Sequence, residues 1–336
     1  MSSGVIAADR ERSVPRAGWL VVAGKEFGDH LLSARFIVLL IVLALAAGIP
    51  IFLATEQIRN LANQASNVPD LFLALFIIGP SDVSIFQFNV TVQSFLMMAA
   101  PLLGLAFSFD AVNGERAQGT LPRLLSQPIH RDDVLNGKFA AGIAMIGLVL
   151  VVVVTAIGAV GIFRLGIVPD ADQLLRLVLW VAVTMVYVGL WLAFGLLLSV
   201  VFLRASTSAL VGFGVWFVLS IFGQFLLRFA LGLLLPLGQF SQETITDYQT
   251  HDFVLRLLPG TLYNEISQIL LNPSATYAST PPTIGQAVAI TEQVPTTLSL
   301  DQSFILVWPQ VVALVALTLG CFALAYVRFM RQEVRA

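Results

Sequence analysis

The densest run of groups able to act chemically lies between residues 110 and 138. It reads Asp110-Ala-Val-Asn-Gly-Glu115-Arg116-Ala-Gln-Gly119-Thr120-Leu121-Pro122-Arg123-Leu124-Leu125-Ser126-Gln127-Pro128-Ile-His130-Arg131-Asp132-Asp133-Val-Leu-Asn-Gly137-Lys138. Gly137-Lys138 invites a phosphate-binding reading, but Phe139 follows where Ser or Thr is required, and Asp132 stands where the first glycine belongs. The chain is therefore not expected to bind ATP through a Walker motif. His30, His130 and His251 form no HExxH pair and no serine sits in a GxSxG turn, so hydrolytic catalysis is not expected either. The single Cys321 leaves no intrachain disulfide and no cysteine metal site. What the stretch can do is dock. Thr120 can cap a helix whose first turn tolerates Pro122, with Leu121, Leu124 and Leu125 on one face, Arg123, Ser126 and Gln127 on the other, and Pro128 at its end. Such apolar anchors suit a groove in a partner, where Glu115, Arg116 and Arg123 would fix the register. The same residues also suit an amphipathic loop lying on a membrane.

The elements that must hold this stretch follow from composition. Of 336 residues, 57% are hydrophobic and only 11% charged, with a mean hydropathy of +0.88. Soluble domains carry about 25% charge, so an ordinary soluble enzyme and a disordered chain are both excluded. Apolar runs near the roughly 20 residues that cross a bilayer predict six spans, at about 35–54, 89–109, 138–163, 175–201, 207–227 and 304–327. The architecture expected is all-α, a polytopic membrane protein forming one permease-like domain over residues 1–336. An even count places both termini on one side. Arg10, Arg12, Arg16, Lys25, Arg35, Arg116, Arg123, Arg131, Lys138, Arg204, Arg328, Arg331 and Arg335 share that side, against Arg59, Arg164, Arg176, Arg228 and Arg256 opposite. The positive-inside rule then makes both termini cytoplasmic, in the plasma membrane. Residues 1–16 are polar and the first apolar run starts near Phe36, too late for a cleaved signal peptide, so the first span is expected to stay in the mature chain. A net charge of -2 gives no bulk basic surface for nucleic acid.

Around the spans, residues 1–34 hold a helix with Trp19, Leu20, Phe27, Leu31 and Ala34 on one side and Lys25, Glu26, Asp29, His30 and Ser33 on the other, a pattern for lying in the interface plane. Lys138 is expected at headgroup level. Residues 110–137 are the loop already described. Leu71 to Ile78 is too short to span and is expected to lie against the membrane or re-enter it. Residues 228–303 form an outer segment with two short amphipathic helices near the surface, either side of Pro259-Gly260. Acids and bases are missing from the depth of all six spans, which argues against an ion-driven carrier. Thr155, Thr184, Gln224 and Gln310 are expected to bond between helices, and the many small residues to pack within the chain.

The string from Asp110 to Lys138, with its Glu-Arg, Gly-Thr-Leu, Leu-Leu-Ser-x-Pro-Ile-x-Arg and Gly-Lys elements, resembles the first cytoplasmic loop of ABC-2 type permeases, in the branch that includes the nitrous-oxide-reductase maturation permease. Gly24-Lys25-Glu26-Phe27 through Arg35 resembles that family's N-terminal helix. The resemblance implies a permease subunit, working as a dimer with a separate ABC ATPase that carries the ATP and magnesium, and export of an unidentified cargo. It implies a coupling helix with Glu115, Arg116, Thr120, Leu121, Arg123, Leu124 and Leu125 against the ATPase, and an interfacial helix marked by Trp19, Lys25, Glu26 and Phe27. Apolar spans favour a hydrophobic or amphipathic cargo. The competing reading is a membrane scaffold or assembly factor that moves nothing.

Overall fold

Hydrocarbon offers a backbone amide no partner outside its own segment, so long apolar runs must close their hydrogen bonds as helices. The computed structural model describes residues 18–34, 36–38, 40–45, 48–49, 51–52, 71–77, 84–85, 88–89, 91–122, 126, 130–234, 253–273 and 298–332. Their helices are α1 (Gly18–Leu31), α2 (Leu71–Ile77), α3 (Val92–Ser108), α4 (Asn113–Ala117), α5 (Arg131–Leu165), α6 (Ala171–Val201), α7 (Ala205–Phe217), α8 (Gly223–Leu234), α9 (Pro259–Leu271) and α10 (Leu300–Met330). A π-helical turn, Val218–Phe222, joins α7 to α8 into one rod. The only strand pairing among the described residues is a two-residue ladder, Ser84 opposite Asn89 and Ile85 opposite Phe88. Five helical rods are long and apolar enough to span: α3 with α4, α5, α6, α7 with α8, and α10. The first expected span is described only in part and is helical where it is described. The chain turns by 65° between α1 and Phe36–Leu45, where the Ser33 backbone carbonyl and hydroxyl both accept from the Phe36 amide.

The centre of the bundle is α6. Trp180, Tyr187, Trp191 and Leu196 along it are buried, against α3, α9 and α10. Lipid tails are as apolar as leucine, so this association rests on close packing and on hydrogen bonds between helices. Gly104 shows how close the packing is. A Cβ there would stand 2.7 Å from the Leu192 amide nitrogen and 2.8 Å from the Val188 carbonyl oxygen. The short apolar run becomes α2, tucked into the core with Phe72, Leu73, Leu75 and Phe76 buried and Phe76 edge-on to Trp180 at 5.5 Å.

The outer segment corrects an expectation. Its second helix, α9, does not lie at the surface but inserts between α6, α10, α3 and α2. Leu262, Tyr263, Ile266, Ile269 and Leu270 face the core, and Tyr263 stacks on Tyr187 at 4.6 Å, halfway along α6. The reason lies in what it brings to share. Trp180 donates to the Ser267 hydroxyl at 3.0 Å, and Thr184 and Tyr263 share a hydrogen bond of 3.0 Å. Thr184, Gln224 and Gln310 therefore bond between helices as expected, all three to α9, with Gln224 3.5 Å from Thr261 and Gln310 3.1 Å from Glu265. Thr155 is exposed and makes no interhelical hydrogen bond among the described residues. An ion pair, Arg256 to Glu265 at 3.0 Å, also enters the bundle with this segment. Among the described residues, the middles of the expected spans carry no acid or base. The bundle as a whole does.

Candidate coupling site

At the end of the bundle where α3 and α10 finish, the chain makes an elbow. After Ser108 the backbone turns through residues 109–112, runs as α4, and stops at Gly119. Gly119 has φ +69°, the left-handed conformation that favours glycine. Its amide donates to the Arg116 carbonyl at 3.2 Å and the next amide, of Thr120, to the Glu115 carbonyl at 3.0 Å, the paired bonds that end a helix by a Schellman turn. The expected helix following Thr120 is thus separate from α4. Glu115 and Arg116 belong to one helical piece, and a new turn starts at Leu121, with the Ser126 amide donating to the Pro122 carbonyl at 3.0 Å. The Thr120 hydroxyl donates to the Glu115 carbonyl at 3.2 Å. Leu121 is buried, with Val112, Leu135, Leu196, Val200, Ala325 and Phe329, so it anchors the elbow to its own bundle and is not free to meet a partner. Arg123, Leu124 and Leu125 lie outside the described residues.

Lys138 is the pivot of the site and the second correction. It was expected to reach the headgroups, yet its side chain is 5% exposed. Its ammonium donates to Glu115 at 2.6 Å and to Glu26 at 2.9 Å, tying α5 to both α4 and α1. A buried lysine is costly unless its charge is met, and two carboxylates meet it here. The interfacial helix thus turns part of its polar side inward. Glu26 faces Lys138, Val22 is buried, and Trp19 and Leu20 are exposed. Gly137 permits the crossing, since a Cβ there would stand 2.8 Å from the Trp19 carbonyl oxygen. Phe27 packs on the main core. Lys25 pairs with Asp29 at 3.3 Å. Partial burial pulls the Lys25 amine down, but Glu26 and Asp29 together outweigh it and hold its pKa above the usual lysine value. Between α1 and the elbow lies a cleft of about 500 Å³, lined by Lys25, Glu26, Asp29, His30, Phe107, Asp110, Glu115, Gln118, Thr120 and Lys138 among others.

A second knot holds the far side of the elbow. Arg116 donates to the Gln332 side-chain carbonyl at 2.5 Å, and the Gln332 amide group donates to the Val200 carbonyl at 2.8 Å. Arg131 donates to the Gln332 backbone carbonyl at 3.3 Å. The Ser199 hydroxyl accepts from the amides of Val112 and Asn113 at 2.9 and 3.2 Å. Four rods therefore meet at the elbow: α3 by continuity, α5 through Lys138, α6 through Ser199 and α10 through Gln332. Sequence reasoning picked out Glu115, Arg116 and Glu26 but missed Gln332, Ser199 and the burial of Lys138. The one available sign was a lysine just inside an apolar run, where a carboxylate partner is always worth seeking.

The elbow thus joins four membrane rods at one end of the bundle. The profile of the ABC-2 family transporter proteins matches residues 20–334, and the chain belongs to that family. It is the membrane subunit of an ABC transporter, in a family that works with an ABC ATPase partner. Among relatives, the probable ABC transporter permease protein NosY of Pseudomonas aeruginosa is 28% identical over 255 residues, covering 73% of this chain and 78% of that one. The protein of the same name from Stutzerimonas stutzeri is 30% identical over 186 residues, covering 53% and 60%.

Proposed function

We propose that this permease works as a homodimer with two ATPase chains and exports an amphipathic cargo, with both termini and the elbow on the cytoplasmic side of the plasma membrane. The observation that carries the reading is the Lys138 tie between α1, α4 and α5. ATP and magnesium act on the partner chain. Closure of the ATPase pair pulls on residues 115–127, and the Schellman stop at Gly119 fixes the turn between α4 and Leu121. The pull then reaches α3, α5, α6 and α10 together, and tilting rods of this kind exchange inward for outward access as rigid elements. Arg123, Leu124 and Leu125 are the residues left to contact the ATPase. Leu121, buried against Val112, Leu135, Leu196 and Phe329, anchors the elbow to the bundle, and Glu115, Arg116 and Thr120 hold the turn at Gly119. The lipid-facing surface is the exposed apolar side of α7, α8 and α10, including Phe225, Phe229, Phe304 and Trp308.

The test is purification in mild detergent from the native host, with mass spectrometry of what accompanies the chain. A stoichiometric P-loop ATPase, lost on Arg123→Glu or Leu124→Pro while membrane insertion persists, is the expected result. A chain that purifies alone, or with non-ATPase partners only, would move the protein to the scaffold class.

A further inference from the structure

The packed side of α9 is dry, but its other side carries Thr261, Asn264, Glu265, Gln268 and Asn272, spaced as one helical stripe and each only half-buried. The stripe runs through the outer half of the bundle. Its inner end lies near Tyr263 and Tyr187, midway along α6. Arg176, near the outer end of α6, donates to the Ser303 hydroxyl of α10 at 2.9 Å, so Gln310 lies about 10 Å deeper at 1.5 Å per helical residue. There Gln310 donates to Glu265 at 3.1 Å, while its own carbonyl oxygen is buried without a donor. On the α3 side Gln93 donates to Asn264 at 2.9 Å.

Protein partners bond several of these side chains: Gln224 bonds Thr261, Gln93 both Asn264 and Gln268, and Arg256 and Gln310 both Glu265. Partly exposed at this depth, they are still costly against acyl chains, because hydrocarbon offers their exposed part no hydrogen bond. They must face water or something equally polar. We infer that the α9 stripe lines the outer half of the transport path and that the cargo it passes carries an uncharged, hydrogen-bonding polar part. Amides and a hydroxyl offer both donors and acceptors, and Arg256 balances the charge of Glu265, so the lining favours hydroxyl- or amide-bearing groups over ions. This deepens the amphipathic-cargo reading above and rests on it for the word transport, whereas exposure of the stripe to water does not depend on it.

The experiment uses the full complex in right-side-out vesicles on a Cys321→Ser background, with Asn264→Cys, Gln268→Cys and, on the dry face, Ile266→Cys. Each variant is treated from outside with a membrane-impermeant sulfonated methanethiosulfonate. Asn264→Cys and Gln268→Cys are expected to label at least tenfold faster than Ile266→Cys. An uncharged alkyl glycoside below its micelle concentration should slow labelling of Gln268→Cys several-fold, and an alkyl sulfate of equal chain length should not. Absent or equal labelling across the three sites overturns the path. Labelling protected by neither amphiphile, or by the sulfate as well, overturns the cargo class. Vesicles with active ATPase but unlabelled stripe cysteines would sink this inference alone. Labelled cysteines in a chain without an ATPase would sink the transporter reading and leave the water-facing stripe in place.

Discussion

Lys138→Met is the sharpest perturbation of the coupling site, because it keeps the length of the side chain and removes only the charge. The lysine side chain is 5% exposed, Glu26 13% and Glu115 18%. Removing one partner of a fully buried ion pair costs about 3–5 kcal/mol, since the other is left charged and unmet. Here both carboxylates border the cleft of about 500 Å³ and keep some exposure, although one Glu115 oxygen is buried without a partner, so a loss of about 2–3 kcal/mol is expected. At about 2 °C per kcal/mol for a chain of this size, the unfolding midpoint of the purified complex should fall by about 4–6 °C. The basal ATPase should persist while its link to transport is lost. Adding Glu26→Gln and Glu115→Gln removes the stranded charges and should restore most of the midpoint without restoring coupling, since amides and a thioether cannot form the tie. An unchanged midpoint in Lys138→Met, or a triple variant no more stable than the single one, would refute the view that this lysine joins three helices electrostatically.

Three further substitutions test the elbow and the core. Gly119→Ala meets no neighbouring atom within 4 Å but places a Cβ at φ +69°, a strain of about 1–2 kcal/mol; it should lower coupled transport, whereas Gly232→Ala in α8, equally open but helical, should not. Gly104→Val drives carbon into the backbone of α6 and should cost about 3 kcal/mol or more, read as lost thermal stability or failure to accumulate in the membrane. Gln332→Ala releases Arg116 and the Val200 carbonyl together; a loss of about 1–2 kcal/mol is expected, with faster hydrogen exchange at residues 113–120 as the local readout.

Much of the fold was legible because bilayer thickness converts apolar length directly into spans. α5 begins seven residues earlier than its apolar run, because Asp133 accepts from the His130 amide at 3.1 Å and starts the helix in the polar zone. The stop at Gly119 was harder to read, since glycine at a left-handed position has no hydropathy signature. Leu121 looked like a docking residue because the pattern of leucines is the same whether the groove belongs to a partner or to α5, α6 and α10.

The sequence by itself determined that this is a helical membrane protein, which end of it carries the basic loops, and which stretch interrupts the apolar runs with enough charge to matter. Each of these is a property of composition along the chain, and water and hydrocarbon read it without regard to what lies nearby. Only the tertiary structure decided that α9 turns back into the bundle, that Lys138 gathers Glu26 and Glu115, and that Gln332 closes the elbow from 216 residues beyond Arg116. Those outcomes depend on which polar groups find each other once packed. A half-polar helix such as α9 can satisfy its hydroxyls and amides against α6 and α10 as well as at the surface, and the choice is fixed by partners far away in the chain.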